Sequence, residues 1–511
     1  MKQDLLNKEV LAIIDVRQIQ KFMFHSNSSR ETLGGGNIVK KIIHESLNYA
    51  AQNIDTPLKE NQYVLCIESE DIPYFQDENV LMQIITNSAG NAFILFRTGA
   101  LYQKIIRKVS RYFLEKTYIL EIATCAVEKT DDFLYDFDQL FRELEKVKAC
   151  FPSMHPLPPP AIVQKEPNTG EPIFSIVDGK SASKSSLVRL NAAQEDDSVS
   201  DMRQIHATKG PNGKSYVAVL HLDGNNMGMT IAKIIPKAKN YEECIRLRRT
   251  INRNIEEGFK TTLDNTIAKI KNKFIPGNLT GEDFSHELAI LHRGGDDTNI
   301  VCNPRLAIPF VEEFAKQLKS AYLWKDEFFQ VGFSICAGIA FVYKDTPFIP
   351  AFKIAEECCS SAKKYAKKNE NCIDGLPGTW FDFEIQTENN VLHIDYTRKS
   401  FYNTSESINL QLRPYTLNEE QKDNLRYYGN LQKRINTLQG LKLNPIERKI
   451  LESSYSAGKV EFENDVAEIK FDGKSLFELL GPPLATDSDK HKVATWYDAT
   501  ILSSFYKEDQ Q

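Results

Sequence analysis

The sequence predicts an α+β chain in which one unit, strand–helix–hairpin–helix–strand–helix, occurs twice and a helical segment follows. Three observations predict it. The first is an acidic hairpin, His292 to Val301, with Gly294, Gly295, Asp296 and Asp297 at its tip. The second is a β-rich apolar run from Tyr216 to Leu222 that ends at Asp223 and opens into a small polar loop. The third is a counterpart of both near the N-terminus: Asp15 to Asn91 is 76 residues, and Asp223 to Asp297 is 74.

The hairpin follows from its composition. Leu288-Ala289-Ile290-Leu291 leads in and Thr298-Asn299-Ile300-Val301 leads out. Glycines let the backbone turn tightly and let a bulky anion come close. Paired carboxylates repel each other unless a cation sits between them, so the tip is a candidate Mg²⁺ site with nucleotide phosphates as further ligands. Taken alone it reads equally well as a solvated acidic turn, and an Asp closing a strand is commonly structural. Together, in this order, Asp223 and the Asp296/Asp297 pair have the arrangement a two-cation site needs. The loop Gly224-Asn225-Asn226-Met227-Gly228 would offer backbone N–H groups, at a helix N-terminus, to a triphosphate.

Between the two motifs, Ile251, Ile255, Phe259, Leu263 and Ile267 recur every four residues and make one apolar helical face. A helix over about 305–322, a strand over 331–342 and a helix over about 350–368 come next. That order is the one found in a ferredoxin-like palm. Lys363 on the last helix is placed to meet a triphosphate as a point charge, or else belongs to a solvated basic face.

The N-terminal counterpart starts with a strand over 9–14 that ends at Asp15. A helix with Ile38, Ile42 and Leu47 follows, then a strand over 80–86, Gly90 and Asn91, and a return through Ala92 to Phe96. Ile122 to Val127 corresponds to Ser334 to Ile339. Two palms from one duplication are expected. Gly90 and Asn91 stand where the second unit has carboxylates, and a lone Asp15 cannot hold two hard cations, so the first palm is expected to be structural. The resulting division is a degenerate palm over 1–150, a connector over 151–215, the catalytic palm over 216–400 and a helical domain over 401–511. The connector holds the stiff stretch Pro156 to Pro160. In the last segment, Leu417-Asn418-Glu419 is expected to start a helix with Asn418 as cap, carrying Leu425, Leu431 and Leu438. A second helix is expected from Leu443-Asn444-Pro445.

Composition excludes several classes. With 63 basic and 69 acidic residues among 511 the net charge is −6, which is no sign of a general nucleic-acid binder. No run of about 18 apolar residues exists, so no membrane span is expected, and the first residues lack a signal-peptide core. Nine scattered cysteines suit a reducing cytoplasm. No cysteine lies between Cys150 and Cys244, so no zinc site is expected in the connector. No His-Asp dipeptide occurs, none of the nine histidines forms a metal-ligand pair, and no nuclease activity is expected. His221 and His292 read as partly buried strand histidines or as lining of a nucleotide site. Cys336 falls in a core strand and Cys358 and Cys359 in a helix, which leaves no support for a nucleophile.

Leu222-Asp223-Gly224-Asn225-Asn226-Met227-Gly228, Gly294-Gly295-Asp296-Asp297 and Ser334-Ile335-Cys336-Ala337-Gly338-Ile339 carry a family resemblance. So do Ala355-Glu356-Glu357 with Ala362-Lys363, and near the N-terminus Ile14-Asp15-Val16 with Gly34-Gly35-Gly36. The chain resembles the palm-containing large subunit of type III CRISPR effector complexes, a family related to GGDEF cyclases. The resemblance implies a nucleotidyltransferase that converts ATP into short, usually cyclic, oligoadenylate messengers. It also implies cytoplasmic partners, namely CRISPR effector subunits with guide and target RNA; self-association is open. Many relatives carry zinc-binding cysteines in the connector, where this chain keeps only Thr169-Gly170-Glu171-Pro172, and many begin with an HD nuclease domain that is not expected here. Tyr497-Asp498-Ala499 is similar to part of the family's C-terminal helical domain.

The expected scheme has two Mg²⁺ or Mn²⁺ ions held by Asp223, Asp296 and Asp297, with the Leu222 or Gly224 carbonyl completing the shell. Gly224, Asn225, Asn226 and Gly228 cradle the donor triphosphate, Gly294 and Gly295 admit the acceptor nucleotide, and Lys363 neutralises phosphate. The alternatives are the same site making a different nucleotide product, and a non-catalytic scaffold of an RNA-guided complex. Three intact carboxylates argue against the scaffold.

Overall fold

The computed structural model describes the chain except residues 1–2, 27, 68–70, 89, 152–159, 178, 194–201, 212, 226, 275–283, 326–329, 374–375, 388–392, 404–407, 442–445, 448–449, 452–463, 465, 467–468, 472, 488–489 and 507–511. The Pro156 stretch (up to Pro159), Asn226 and the helix start at Leu443 to Pro445 lie outside the described residues.

Two sheets organise the molecule. The first is built from β1 (Val10–Arg17), α1 (Ser29–Asn53), β2 (Met82–Ser88), β3 (Asn91–Phe96), α2 (Gly99–Thr117), β4 (Glu121–Glu128) and α3 (Phe133–Ala149). Its helices start at side-chain caps: Ser28 accepts from the Glu31 N–H, Thr98 from Leu101, and Asp132 from Leu134 and Tyr135. The order across the sheet is Tyr63–Val64, β2, β3, β1, β4.

From the connector, α4 (Lys184–Ala193) lies against α1, where the buried Arg189 guanidinium meets Glu31 at 2.7 Å. The connector is therefore packed structure as well as a tether.

The second sheet repeats the plan with β5 (Ser215–Gly224), α5 (Met227–Ile234), α6 (Tyr241–Phe274), β6 (Leu288–Gly294), β7 (Asp297–Cys302), α7 (Pro304–Leu318), β8 (Ile335–Tyr343) and α8 (Phe348–Ala366). Its core order, β6, β7, β5, β8, matches β2, β3, β1, β4. The register agrees as well: Asp223 lies opposite Asp297 and Cys336, and Asp15 opposite Asn91 and Ala123. Both hairpins even carry a bulge at the same place, between Ile84 and Thr86 and between Ile290 and His292.

Three features differ from expectation. The strand expected over 331–342 is broken: Gln330–Gly332 pairs with Tyr322–Lys325 in a separate hairpin, and the central strand runs from Ile335. A further strand, β9 (Trp380–Ile385), joins β8 in parallel through α8 and extends the sheet. The 401–511 segment is mixed rather than helical. α10 (Tyr428–Gly440) is present, and Ile408–Asn409, Lys492–Ala494 and Leu484–Thr486 form a small sheet. Asn418 starts only a 3₁₀ turn, because its side chain is held by Thr379 N and Thr416 Oγ1 rather than capping a helix. α9 (Ile394–Phe401) sends Arg398 onto Asp382 at 2.8 Å and Glu384 at 3.2 Å. Arg413 meets the same Glu384 at 3.2 Å and Asp498 at 3.9 Å, so buried charges fasten β9 to the C-terminal segment.

At Gly338 of β8 the sheet and α8 approach backbone to backbone. A Cβ there would stand 1.9 Å from the Ala355 carbonyl oxygen and 2.4 Å from the Cys359 nitrogen, both backbone atoms of α8. Gly338→Ala is therefore expected to push α8 off the sheet and destabilise the fold by about 1–3 kcal/mol, the usual cost of overpacking. A urea unfolding midpoint unchanged from the parent chain would contradict this packing.

Candidate active site

β5 is buried along nearly its whole length, which is why its polar end stands out: Asp223 is partly exposed where the strand leaves the sheet. β7 lies beside it and places Asp297 directly opposite. Gly295, at φ +49°, makes the turn before them, and Asp296 lies over Gly224. Three carboxylates thus converge at one corner of the sheet. α8 brings the Lys363 ammonium onto Asp223 Oδ2.

The electrostatics follow from that crowding. Burial, together with the charges of Asp223 and Asp297, pushes the Asp296 carboxyl up to about 6. Burial alone would lower Lys363, but its contact with Asp223 outweighs this and raises it. His221, one turn of the pleat before Asp223, places Nδ1 2.8 Å from Asn299 Oδ1 and 3.3 Å from Asp297 Oδ1. Burial opposes its charge, yet the neighbouring Asp297 raises it above the usual imidazole range. Burial lowers His292, whose Nδ1 has no hydrogen-bond partner among the described residues.

The expected nucleotide-binding residues divide. Lys363, Gly295 and Gly228 stand where a ligand has room, with nothing within 4 Å of a Cβ built on either glycine. Gly294 does not: a Cβ there would lie 2.4 Å from His292 Nε2, so the ring already covers it. Gly224 is covered by Met227 and Asp296, and its N–H donates to the Asp296 carbonyl at 3.1 Å. Asn225 donates its N–H to the Ser334 carbonyl and its side-chain amide to the Gly378 carbonyl. The phosphate cradle expected from Gly224 and Asn225 is thereby corrected, because both N–H groups extend the ladders of β5. Leu222 is buried inside the sheet between Thr298 and Ala337.

Carboxylates of this kind suit hard divalent cations. Asp297 carries a buried oxygen, Oδ1, without a hydrogen-bond partner among the described residues, and Asp296 is raised first by burial and then by the charges of its two carboxylate neighbours. The donor set fits Mg²⁺ or Mn²⁺ in charge and chemistry. Among the described residues, no three His, Cys, Asp or Glu side chains close into a ready-made ligand set. The sequence reading missed Asn299, whose signal was a polar residue at a buried position of an apolar strand.

A raised carboxyl favours folding while it is protonated, below the unfolded value, and that contribution is lost as pH rises through its folded value. In chelator, Asp296→Asn is therefore expected to melt higher than the parent above about pH 6, the gap closing toward about pH 4. Equal melting temperatures across that window would contradict the crowded-carboxylate geometry.

Residues 216–372 match the family model described as Cas10/Cmr2, second palm domain. A comparison with curated protein sequences gives no match. Among solved structures, the fold is similar to a Csm1–Csm4 cassette in complex with one ATP (TM-score 0.52, 11% identity, 98% of this chain and 70% of that one). It is also similar to a Csm1–Csm4 cassette in complex with pppApApA (TM-score 0.50, 11% identity, 98% and 69%). A third is the Csm1–Csm4 subcomplex of the type III-A CRISPR-Csm interference complex (TM-score 0.50, 11% identity, 98% and 70%). No helix among the described residues is long and apolar enough to cross a membrane. Residues 216–372 thus match the Cas10/Cmr2 second palm domain model, in a chain whose fold is similar over 98% of its length to that of the Csm1–Csm4 structures.

Proposed function

We propose that the chain is a metal-dependent nucleotidyltransferase that joins ATP into oligoadenylate, linear or cyclic, as the large subunit of a type III CRISPR effector or as a relative acting alone. The observation that carries this reading is the opposed pair Asp223 and Asp297 with Asp296 raised beside them, at the corner of a palm-type sheet. Structures of the same fold that hold one ATP and pppApApA support the choice of adenine nucleotides.

In this scheme Asp223, Asp296 and Asp297 hold two Mg²⁺ or Mn²⁺ ions. Bound there, the ions would lower the pKa of the acceptor hydroxyl and stabilise the leaving pyrophosphate. Lys363 shields Asp223 when the site is free of ligand and turns to phosphate when nucleotide enters. The first turn of α5, from Met227 and Gly228, faces the donor phosphates. Gly295, open above its Cα, admits the acceptor.

The N-terminal sheet is read as a second palm that has lost catalysis. Its Asp15 faces Asn91, and Lys148 of α3 pairs with Asp15 at 2.6 Å and with Glu145 at 3.7 Å, so the lone strand carboxylate already has a cation beside it. This palm would pack beside the active one as a platform. CRISPR effector subunits are the proposed partners.

The purified chain, with partner subunits where the activity needs them, is expected to release pyrophosphate from ATP only with a divalent cation. Asp223→Ala should reduce this by several orders of magnitude, as should joint replacement of Asp296 and Asp297 by alanine. Asp15→Ala should stay within a few-fold of the parent. Undiminished synthesis in excess chelator, or a folded Asp15→Ala chain as inactive as Asp223→Ala, would overturn the reading.

A further inference from the structure

We propose that His221 is a positioning residue for Asp297: held by Asn299 and Phe352, its imidazole sets one oxygen of that carboxylate and leaves the other free toward the bound cation. This role rests on the nucleotidyltransferase reading above. His221 and Asn299 stand directly opposite each other on β5 and β7, two residues inward from the opposed Asp223 and Asp297. Side chains two apart on a strand share a face, so all four lie on one side of the sheet.

The ring has little freedom. His221 is buried, Nδ1 lies 2.8 Å from Asn299 Oδ1, and Phe352 of α8 meets the ring edge-on at 5.5 Å between centroids. An amide oxygen only accepts, so Nδ1 carries the proton. The same N–H edge stands 3.3 Å from Asp297 Oδ1. Asp297 Oδ1 has no hydrogen-bond partner among the described residues, so the electrostatic pull of this edge is what faces it.

The internal repeat supplies the control. In the first sheet the positions equivalent to His221 and Asn299 are Ile13 and Phe93, also directly opposed and also buried. The lysine–aspartate contact is present in both units, as Lys148 with Asp15 and Lys363 with Asp223. The polar cross-strand pair occurs only where the hairpin carries carboxylates. A buried His–Asn pair is a poorer core than Ile–Phe unless its hydrogen bonds serve a purpose, and the carboxylate beside it is that purpose. Partners that orient a metal-binding carboxylate commonly change metal affinity 10–100-fold when removed.

The test is Mn²⁺ binding to the full chain with a nonhydrolysable ATP analogue, read by electron paramagnetic resonance, with thermal melts beside it. His221→Ile, which copies the first sheet, is expected to weaken Mn²⁺ binding by about 10–100-fold. His221→Gln, which keeps a donor, should recover most of the loss. Asn299→Leu keeps the imidazole but removes its anchor, and should weaken binding even if the isoleucine variant fails to fold. Mn²⁺ affinity equal to the parent's in folded His221→Ile or Asn299→Leu overturns the role. Asp223→Asn separates the two levels. If it loses Mn²⁺ while His221→Ile keeps it, only the positioning role fails. If the parent binds no Mn²⁺, or Asp223→Asn binds as the parent does, the two-cation reading fails and this role with it.

Discussion

The pairing of Asp223 with Asp297 across β5 and β7 fixes where every other group of the site stands. Strand side chains alternate faces, so a slip of one residue between these strands would leave the two carboxylates on opposite sides of the sheet. The buried strand β8 and the contact of Gly338 with the α8 backbone hold that register from the other flank. What the register creates is a deficit of positive charge. Three carboxylates meet one lysine, and Asp296 is raised by its burial and by the charges of Asp223 and Asp297 beside it. Charges this close interact strongly where solvent is limited.

The first sheet shows what the same backbone does without that deficit. It keeps the strand order, the bulge and the lysine–aspartate pair, but sets Asn91 opposite Asp15 and fills the neighbouring positions with Ile13 and Phe93. Asp15 there already has the Lys148 ammonium beside it, and the positions next to it are apolar. The contrast separates residues that maintain the fold from those that make the second site different. The two units are also joined. Arg249 of α6 donates to the Ile84 and Ile85 carbonyls of β2, and His292 of β6 stands against Gly36 of α1.

Much of this was legible in the sequence because the signals are local. The four-residue period of Ile251 to Leu263, the Gly-Gly-Asp-Asp tip, the run ending at Asp223 and the near-equal spacings of the repeat are all short-range patterns. What was not legible depends on how the folded chain places its side chains. Trp380-Phe381-Asp382-Phe383-Glu384-Ile385 alternates like a half-exposed strand, yet both acids are buried because Arg398 and Arg413 reach them. Asn225 and Gly224 look like phosphate-binding loop residues until their N–H groups are seen to continue β5. Gly294 looks open until the His292 ring is placed over it. An arginine, a carbonyl of a neighbouring segment or the His292 ring decides these cases, and each is placed by the folded geometry and not by the residue pattern.

The most direct measurement is a crystal structure of the chain with Mn²⁺ and a nonhydrolysable ATP analogue, with manganese located by anomalous scattering. The account predicts manganese at the carboxylates of Asp223, Asp296 and Asp297, and Lys363 released from Asp223 to a phosphate. Nucleotide bound elsewhere, with no manganese at these carboxylates and the Lys363–Asp223 pair intact, would contradict it.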